Sequence, residues 1–190
     1  MNPASVALAG WVFLGLELGL KDALALGPSR IAPSFVFCLV TFLAMFAPRS
    51  KSVWTAVALG LAMDLTFRIP LRDGAAGAAV YFGPHALAYA LAVQLVLALR
   101  GVVIKRNPLT LGFLAMLGMV VAQVTLVAIY SIRLWIGDPI ALAPSAELLA
   151  RLGSAVYTGV IGAMLALVLI PMAPFFGLPA QSQRRFGTRT

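Results

Sequence analysis

The sequence predicts an all-α integral membrane protein whose six transmembrane helices form one bundle. The first observation is composition: 62% of the 190 residues are hydrophobic and only 11% are charged, whereas soluble domains are about 45–50% apolar and about 25% charged. The second is a mean hydropathy of +0.99. The third is a series of apolar runs near the length that a bilayer requires of a helix, about 20 residues. Together they exclude an ordinary water-soluble domain.

Six apolar runs bounded by charged residues, Gly or Pro are the candidate spans. In chain order they are residues 5–26, 31–47, 53–67, a fourth run that begins between 74 and 84 and ends at 99, 109–132, and 152–172. The second and third runs are joined only by residues 48–52 and should form an antiparallel hairpin. No basic residue precedes the first run, and Glu17, Lys21 and Asp22 stand where a cleavage site would be. We therefore expect it to remain as a helix rather than to be removed as a signal peptide.

Little of the chain is left outside these spans. We expect residues 1–172 to form the transmembrane domain and residues 173–190 to be a basic, disordered cytoplasmic tail. The longest connection, from about residue 133 to 151, is too short to bury a core of its own. No extramembrane catalytic or receptor domain is predicted.

The distribution of charge predicts the orientation. The N-terminus, the 48–52 and 100–108 connections and the tail carry eight Lys and Arg and no acid, whereas the opposite side carries six Lys and Arg and four acids. Basic residues favour the cytoplasmic side, so both termini are predicted to be cytoplasmic. Because the charge lies between apolar runs rather than on a folded polar surface, the expected partner is the lipid bilayer and not nucleic acid.

Ionisable residues inside the spans are the first candidates for function, since they are costly in a membrane. Glu17 and Lys21 are four residues apart, as are Asp64 and Arg68, so each pair can form along one helix face. The first pair is predicted to be structural. For Asp64 an alternative remains open, namely that an inward-facing acid takes a partner from another helix.

The single histidine and the single cysteine limit the chemistry that the chain can perform. Gly83-Pro84-His85 reads as a helix start, and His85 and Tyr89, one turn apart, are predicted to form a hydrogen-bonded structural pair. A lone His and a lone Cys38 provide no zinc site, no cysteine metal cage and no disulfide. Cys38 is predicted to be an inert buried thiol, and no cofactor or metal is expected.

Polar amides and small residues within the spans indicate helix packing. Gln94 and Gln123 should join helices by hydrogen bonds. Gly15 and Gly19 form one small-residue face, and a second consists of Ala155, Gly159 and Ala163. Such faces allow helices to approach closely, either within one bundle or against a partner protein.

The sequence favours neither an enzyme nor a channel. It has no G-x-S-x-G elbow, no phosphate-binding Gly loop and no Cys–His arrangement. Asp64 and Asp138 could in principle serve an intramembrane aspartyl hydrolase, but Gly137-Asp138-Pro139 is typical of a turn outside the membrane. A channel would require polar residues that recur along one helix face, and we find none.

The central third of the chain resembles the bacterial rod-shape-determining MreD family. The residues that carry the resemblance are Ile31-Ala32-Pro33, the short basic 48–52 hairpin, Gly60-x-x-x-Asp64-Leu65, Pro70-Leu71, and Gly83-x-His85-Ala86-Leu87. One departure is that residues 72–82 separate the last two elements, which are nearly contiguous in the family.

The resemblance implies a non-enzymatic scaffold subunit of the cell-elongation machinery. Its partners would be MreC, a protein with a single transmembrane helix, and, indirectly, MreB and a peptidoglycan polymerase with its transpeptidase. The MreC helix would pack on one of the two small-residue faces.

An alternative function follows from a second similarity, because MreD proteins are similar in helix arrangement to the substrate-binding subunits of energy-coupling-factor vitamin transporters. This chain could then be a small-molecule binding subunit that requires a separate ATPase module. The discriminating feature is a polar pocket under the outer loops. Its candidate lining residues are Asp64, Arg68, His85, Tyr89 and Gln94.

Overall fold

Six α-helices make up most of the residues that the computed structural model describes, which are 1–27, 31–70, 78–104, 107–138 and 144–178. The helices are α1 (Pro3–Leu20), α2 (Phe35–Phe46), α3 (Arg49–Thr66), α4 (Pro84–Leu99), α5 (Pro108–Ile136) and α6 (Pro144–Leu169). A two-stranded antiparallel hairpin, β1 (Ile69–Pro70) with β2 (Ala78–Ala79), lies between α3 and α4. A short 3-10 helix, η1 (Ala173–Phe176), follows α6. The predicted all-helical fold is confirmed.

Two boundaries differ most from those expected. Helix α1 ends at Leu20 rather than at residue 26, because the chain reverses there: Leu26 and Ile31 form an antiparallel bridge, and Gly27 has a φ of +67°. Helix α6 begins at Pro144, so most of the predicted connection from 133 to 151 is helical. An ion pair between Glu147 and Arg151, one turn apart in the favourable order, lies in this added first part of α6.

Helix α2 is the centre of the bundle. It contacts each of the other five helices, and eleven of its twelve residues are buried. The other main contacts pair α5 with α6, α3 with α4, and α4 with α5, while α1 lies mainly against α2 and η1. The apolar side chains of α2 therefore form the interior of the protein.

The side chain of Arg100 caps the C-terminal end of α2. Its Nη1 atom donates hydrogen bonds to the backbone oxygens of Ala44 at 3.0 Å and Ala47 at 2.7 Å. These carbonyl groups at the helix C-terminus have no partner within the helix, so the guanidinium supplies their hydrogen bonds. Its positive charge also interacts favourably with the negative end of the helix dipole. The chain then turns at Pro48 into α3, and α2 and α3 pack as neighbours, as the hairpin prediction expected.

Three of the described helices are long and apolar enough to cross a membrane: α1, α5 and the part of α6 from Glu147 to Leu169. Helices α2 and α4 are apolar but have only 12 and 16 residues. Large apolar side chains cover the outer surface, among them Trp11, Trp54 and Trp135, which are 78%, 70% and 94% exposed. This is the surface that a membrane protein presents to lipid.

The first residues of the predicted tail belong to the bundle. Phe176 is only 2% exposed, and its ring packs edge-on against Phe42 with centroids 5.5 Å apart. Its carbonyl oxygen accepts a hydrogen bond from the backbone N–H of Asn2 at 2.8 Å. The tail prediction was therefore wrong for residues 173–178, among which Ala173, Phe176 and Leu178 are buried, and residues 179–190 lie outside the described part.

Candidate functional site

Asp64, near the C-terminal end of α3, binds the first turn of α4. Its Oδ1 atom accepts a hydrogen bond from the backbone N–H of His85 at 2.9 Å and lies 2.7 Å from Nδ1 of the same residue. Its Oδ2 atom accepts from the backbone N–H groups of Gly83 at 2.9 Å and Ala86 at 3.4 Å. The first N–H groups of a helix lack partners within the helix and carry partial positive charge. Because Asp64 is only 1% exposed, this contact is a buried joint between two helices.

Gly60 lets α3 approach α4 one turn before Asp64. A Cβ atom at this position would lie 2.6 Å from Cα of Ala86 and 2.7 Å from the carbonyl oxygen of His85. Both neighbours are backbone atoms and cannot rotate away, so only glycine fits there. Gly60, Asp64 and His85 thus meet in one place, which we call the α3–α4 joint.

Glu17 holds the N-terminus of α2 in the same way. Its Oε2 atom accepts hydrogen bonds from the hydroxyl of Ser34 at 3.3 Å and from the backbone N–H groups of Phe35 at 2.5 Å and Val36 at 3.1 Å. The Ser34 hydroxyl in turn accepts from the backbone N–H of Phe37 at 3.2 Å, which is the usual geometry of an N-cap. Two acids near the ends of α1 and α3 therefore cap the helices that follow them.

Helix α6 completes the support of α2. The hydroxyl of Ser154 accepts a hydrogen bond from the backbone N–H of Ala32 at 3.3 Å, and that of Thr158 accepts from the backbone N–H of Ser34 at 3.0 Å. The extended residues before α2 are thus hydrogen-bonded to side chains of α6. Sequence reasoning missed these contacts, although a Ser just before an apolar helix is a recognisable N-cap signal.

The predicted Asp64–Arg68 pair was wrong, and the alternative, a partner on another helix, is what the structure has. Arg68 is exposed, and none of the ion pairs in the described part of the chain includes it. The physical reason is competition: the start of α4 offers Asp64 three N–H groups and an imidazole, whereas an exposed i,i+4 pair gains only about 0.3–0.5 kcal/mol. Lys21, the corresponding base after Glu17, has its Nζ atom 3.8 Å from the ring centroid of Phe67.

The predicted hydrogen bond between His85 and Tyr89 was also wrong. Their rings meet edge-on with centroids 6.2 Å apart, because Asp64 takes the Nδ1 atom of His85. Tyr89 is 1% exposed and packs edge-on against Phe37 at 5.1 Å. His85 itself is 5% exposed.

A cavity of about 700 Å³ lies at the end of the bundle where α1, α3 and α5 end and α2, α4 and α6 begin. Its volume falls within the range of small-molecule sites, about 300–1,000 Å³. The lining is about half apolar and half polar. Its polar members are Glu17, Lys21, Asp22, Ser34, Thr66, Arg68, His85, Tyr89, Gln123, Glu147, Arg151 and Ser154.

Of the five residues predicted to line such a pocket, Arg68, His85 and Tyr89 do so, and Asp64 and Gln94 do not. Asp64 binds the first turn of α4. The Oε1 atom of Gln94 accepts a hydrogen bond from Nη2 of Arg49 at 3.0 Å, which joins α3 to α4. The cavity is thus richer in charged groups than the sequence indicated.

Gln123 joins α5 to α6, as predicted for this amide. Its Oε1 atom accepts a hydrogen bond from Nη1 of Arg151 at 2.8 Å, and Nε of the same arginine donates to Oε1 of Glu147 at 2.9 Å. Cys38 is fully buried, as expected of an inert thiol. The described residues contain no group of three His, Cys, Asp or Glu that could hold a metal ion.

Asp138 directly follows the end of α5, where Gly137 has a φ of +101°, in agreement with the predicted turn. Its Oδ2 atom lies 3.3 Å from Nη1 of Arg133.

The two small-residue faces lie in opposite environments. On α6, Ala155 is fully buried, and a Cβ atom on Gly159 would lie 2.8 Å from Cβ of Met116 on α5. On α1, a Cβ atom on Gly15 or Gly19 would meet nothing within 4 Å. The face of Ala155, Gly159 and Ala163 is therefore packing inside the chain, and that of Gly15 and Gly19 is open.

Comparison with models of protein families, with curated proteins and with solved structures found no match for this chain. A functional assignment therefore depends on the residues and the geometry described above.

Proposed function

We propose that this protein is a non-enzymatic membrane scaffold of the bacterial cell-elongation complex, which joins an MreC-like partner to the enzymes of peptidoglycan synthesis. The observation that carries the proposal is the α3–α4 joint. Gly60, Asp64 and His85 belong to the motifs that resemble the MreD family, and all three have structural roles in this one contact. A buried acid that accepts four contacts from a neighbouring helix is suited to holding a bundle rigid.

We further propose that all six helices lie in the inner membrane with both termini in the cytoplasm. The excess of Lys and Arg at the end of the bundle that carries residues 48–52 and 100–108 supports this orientation. Helices α2 and α4 are short for a span, but α2 is enclosed by other helices. Non-helical backbone at membrane depth is tolerated where protein encloses it.

The outer face of α1 is the proposed site for the partner helix. Gly15 and Gly19 lie on it together with the exposed side chains of Leu8, Trp11 and Val12. Small residues allow a second helix to approach closely, and larger neighbours add van der Waals contact. Because α1 is at the periphery of the bundle, a bound helix there would displace lipid only.

The test is co-purification of an MreC-like protein with the Gly15→Leu/Gly19→Leu double variant. We expect the variant to remain folded, since its new side chains meet open space, and to lose the partner. The matched control is Ala58→Leu/Ala128→Leu, which places the same side chain at two exposed small residues on α3 and α5 and should retain the partner. Full retention by the Gly15/Gly19 variant would show that α1 is not the partner site.

A second candidate function, a small-molecule binding subunit of a transporter, is supported by the cavity of about 700 Å³ and its charged lining. It predicts a stable complex with an energy-coupling ATPase module. Isolation of that module with the purified protein, in place of an MreC-like partner, would favour this alternative.

A further inference from the structure

The cavity is lined by polar side chains whose hydrogen-bonding capacity is only partly taken up by described residues. His85 is 5% exposed and lines it; Asp64 occupies its Nδ1 atom, and within the described residues no hydrogen bond reaches Nε2. Gln123 is 7% exposed, and its Nε2 atom has only a 3.9 Å contact with the sulfur of Met119. Both residues line the cavity, so these nitrogens are placed to hydrogen-bond to a molecule bound in it.

The charged side chains that line the cavity differ in whether they already have a partner in the protein. Glu17 is committed to the start of α2, and Glu147 to Arg151. Arg68 lines the cavity, is exposed, and lacks an ion pair to any residue that the structure describes. Asp22 also lines the cavity and is exposed, so one carboxylate remains beside the donor nitrogens of Arg68, Arg151, His85 and Gln123. The nitrogen donors outnumber this carboxylate.

The rest of the lining is apolar. Met63, Phe67, Met119 and Leu126 come from α3, the residue after it, and α5, and lie beside the polar groups. A molecule that satisfied both parts of the surface would have an anionic group and an apolar body. Guanidinium groups bind carboxylates and phosphates with matching geometry.

We propose that this cavity binds an amphipathic oxyanion, a carboxylate or phosphate carried on an apolar body, with its anionic group among Arg68, Arg151, His85 and Gln123. The chemistry is shared by anionic lipid head groups and by soluble organic acids and phosphates. The proposal is independent of the partner face on α1, because no cavity-lining residue is part of the Gly15/Gly19 pair.

The test measures the melting temperature of the purified full chain in detergent during titration with four probes. The probes are phenyl phosphate, benzoate, dihexanoyl phosphatidic acid, and dihexanoyl phosphatidylcholine, a lipid with the same chains and no net charge. A ligand that binds only the folded state raises the melting temperature with concentration. We expect at least one anionic probe to raise the melting temperature. A response only to phenyl phosphate or benzoate would identify soluble anions as the ligand class, and a response only to the phosphatidic acid would identify anionic lipids.

The decisive variant is Arg68→Gln, because Arg68 makes no ion pair with any residue that the structure describes. It should keep the melting temperature of the ligand-free protein and weaken the affinity for the active probe about tenfold, the effect of a lost charge-assisted hydrogen bond. Arg133→Gln is the matched control, an arginine at the same end of the bundle that does not line the cavity, and should leave the affinity unchanged. Stabilisation by none of the anions, equal stabilisation by the neutral lipid, or equal loss in both variants would overturn the proposal.

Discussion

At the scale of single residues, two buried carboxylates each hold the start of one helix against the helix before it. Glu17 and Asp64 each accept hydrogen bonds from the free N–H groups of the next helix. The sequence identifies both acids as costly, but it cannot identify their partners. Those partners lie 17 to 22 residues away, and only helix packing brings them within reach.

Asp64→Asn should destabilise the protein by about 3–5 kcal/mol, the usual cost of removing one partner from a buried charged contact. The amide would also place an N–H group against the N–H groups of α4. Arg68→Gln should change stability by less than about 0.5 kcal/mol, since it alters an exposed side chain. Thermal unfolding of both variants in detergent measures the difference, and comparably small effects would mean that Asp64 lies at a solvated helix end.

At the scale of secondary-structure elements, small residues have different roles although their spacing is alike. Gly15 and Gly19 on α1 are open, whereas Gly159 on α6 packs against α5. Sequence spacing predicts a face but not what covers it, because the covering helix is chosen by the whole fold. The helices themselves were predictable, since each contains an apolar run bounded by charged residues, Gly or Pro. The extension of α6 back to Pro144 was not, because its first turns are more polar.

Gly60→Ala tests the close approach of α3 to α4. The added methyl group would overlap the backbone of the first turn of α4, so the two helices must separate and the Asp64 contact must lengthen. Overpacking of this kind costs about 1–3 kcal/mol. Gly15→Ala is the matched control on an open face and should be neutral or slightly stabilising, since Ala favours the helix more than Gly. Equal melting temperatures for the two variants would contradict this account of the joint.

At the scale of the whole molecule, the bundle has a basic end and an end with mixed charge. Arg49, Lys51 and Arg100 are at the first, and the cavity opens at the second, where Asp22, Asp138 and Glu147 also lie. The sequence could not establish the cavity, because its lining comes from five helices, from the residues just before α2 and from those after α1 and α3. Of its charged members, Arg151 and Glu147 were assigned by sequence to a connection.

Labelling of single cysteines from outside the cell tests the proposed orientation. In a Cys38→Ala background, cysteine at Val102, 88% exposed at the basic end, should be protected from a membrane-impermeant thiol reagent in intact cells. Cysteine at Asp138, just after α5, should react. The reverse pattern would place the cavity on the cytoplasmic side, and permeabilised cells provide the control that both positions are reactive.

The enclosed position of α2 has a consequence for biosynthesis. A helix of 12 residues is about 18 Å long, well short of the roughly 30 Å of hydrocarbon in a bilayer. During synthesis, Ser34 and the N–H groups at its start meet Glu17 early, but Thr158 emerges more than a hundred residues later. Until then the extended residues before α2 lack part of their hydrogen bonding. In the proposed six-span arrangement, helix α2 would therefore reach its final depth only after α6 has been made, and the last helix would be required for membrane integration of the second.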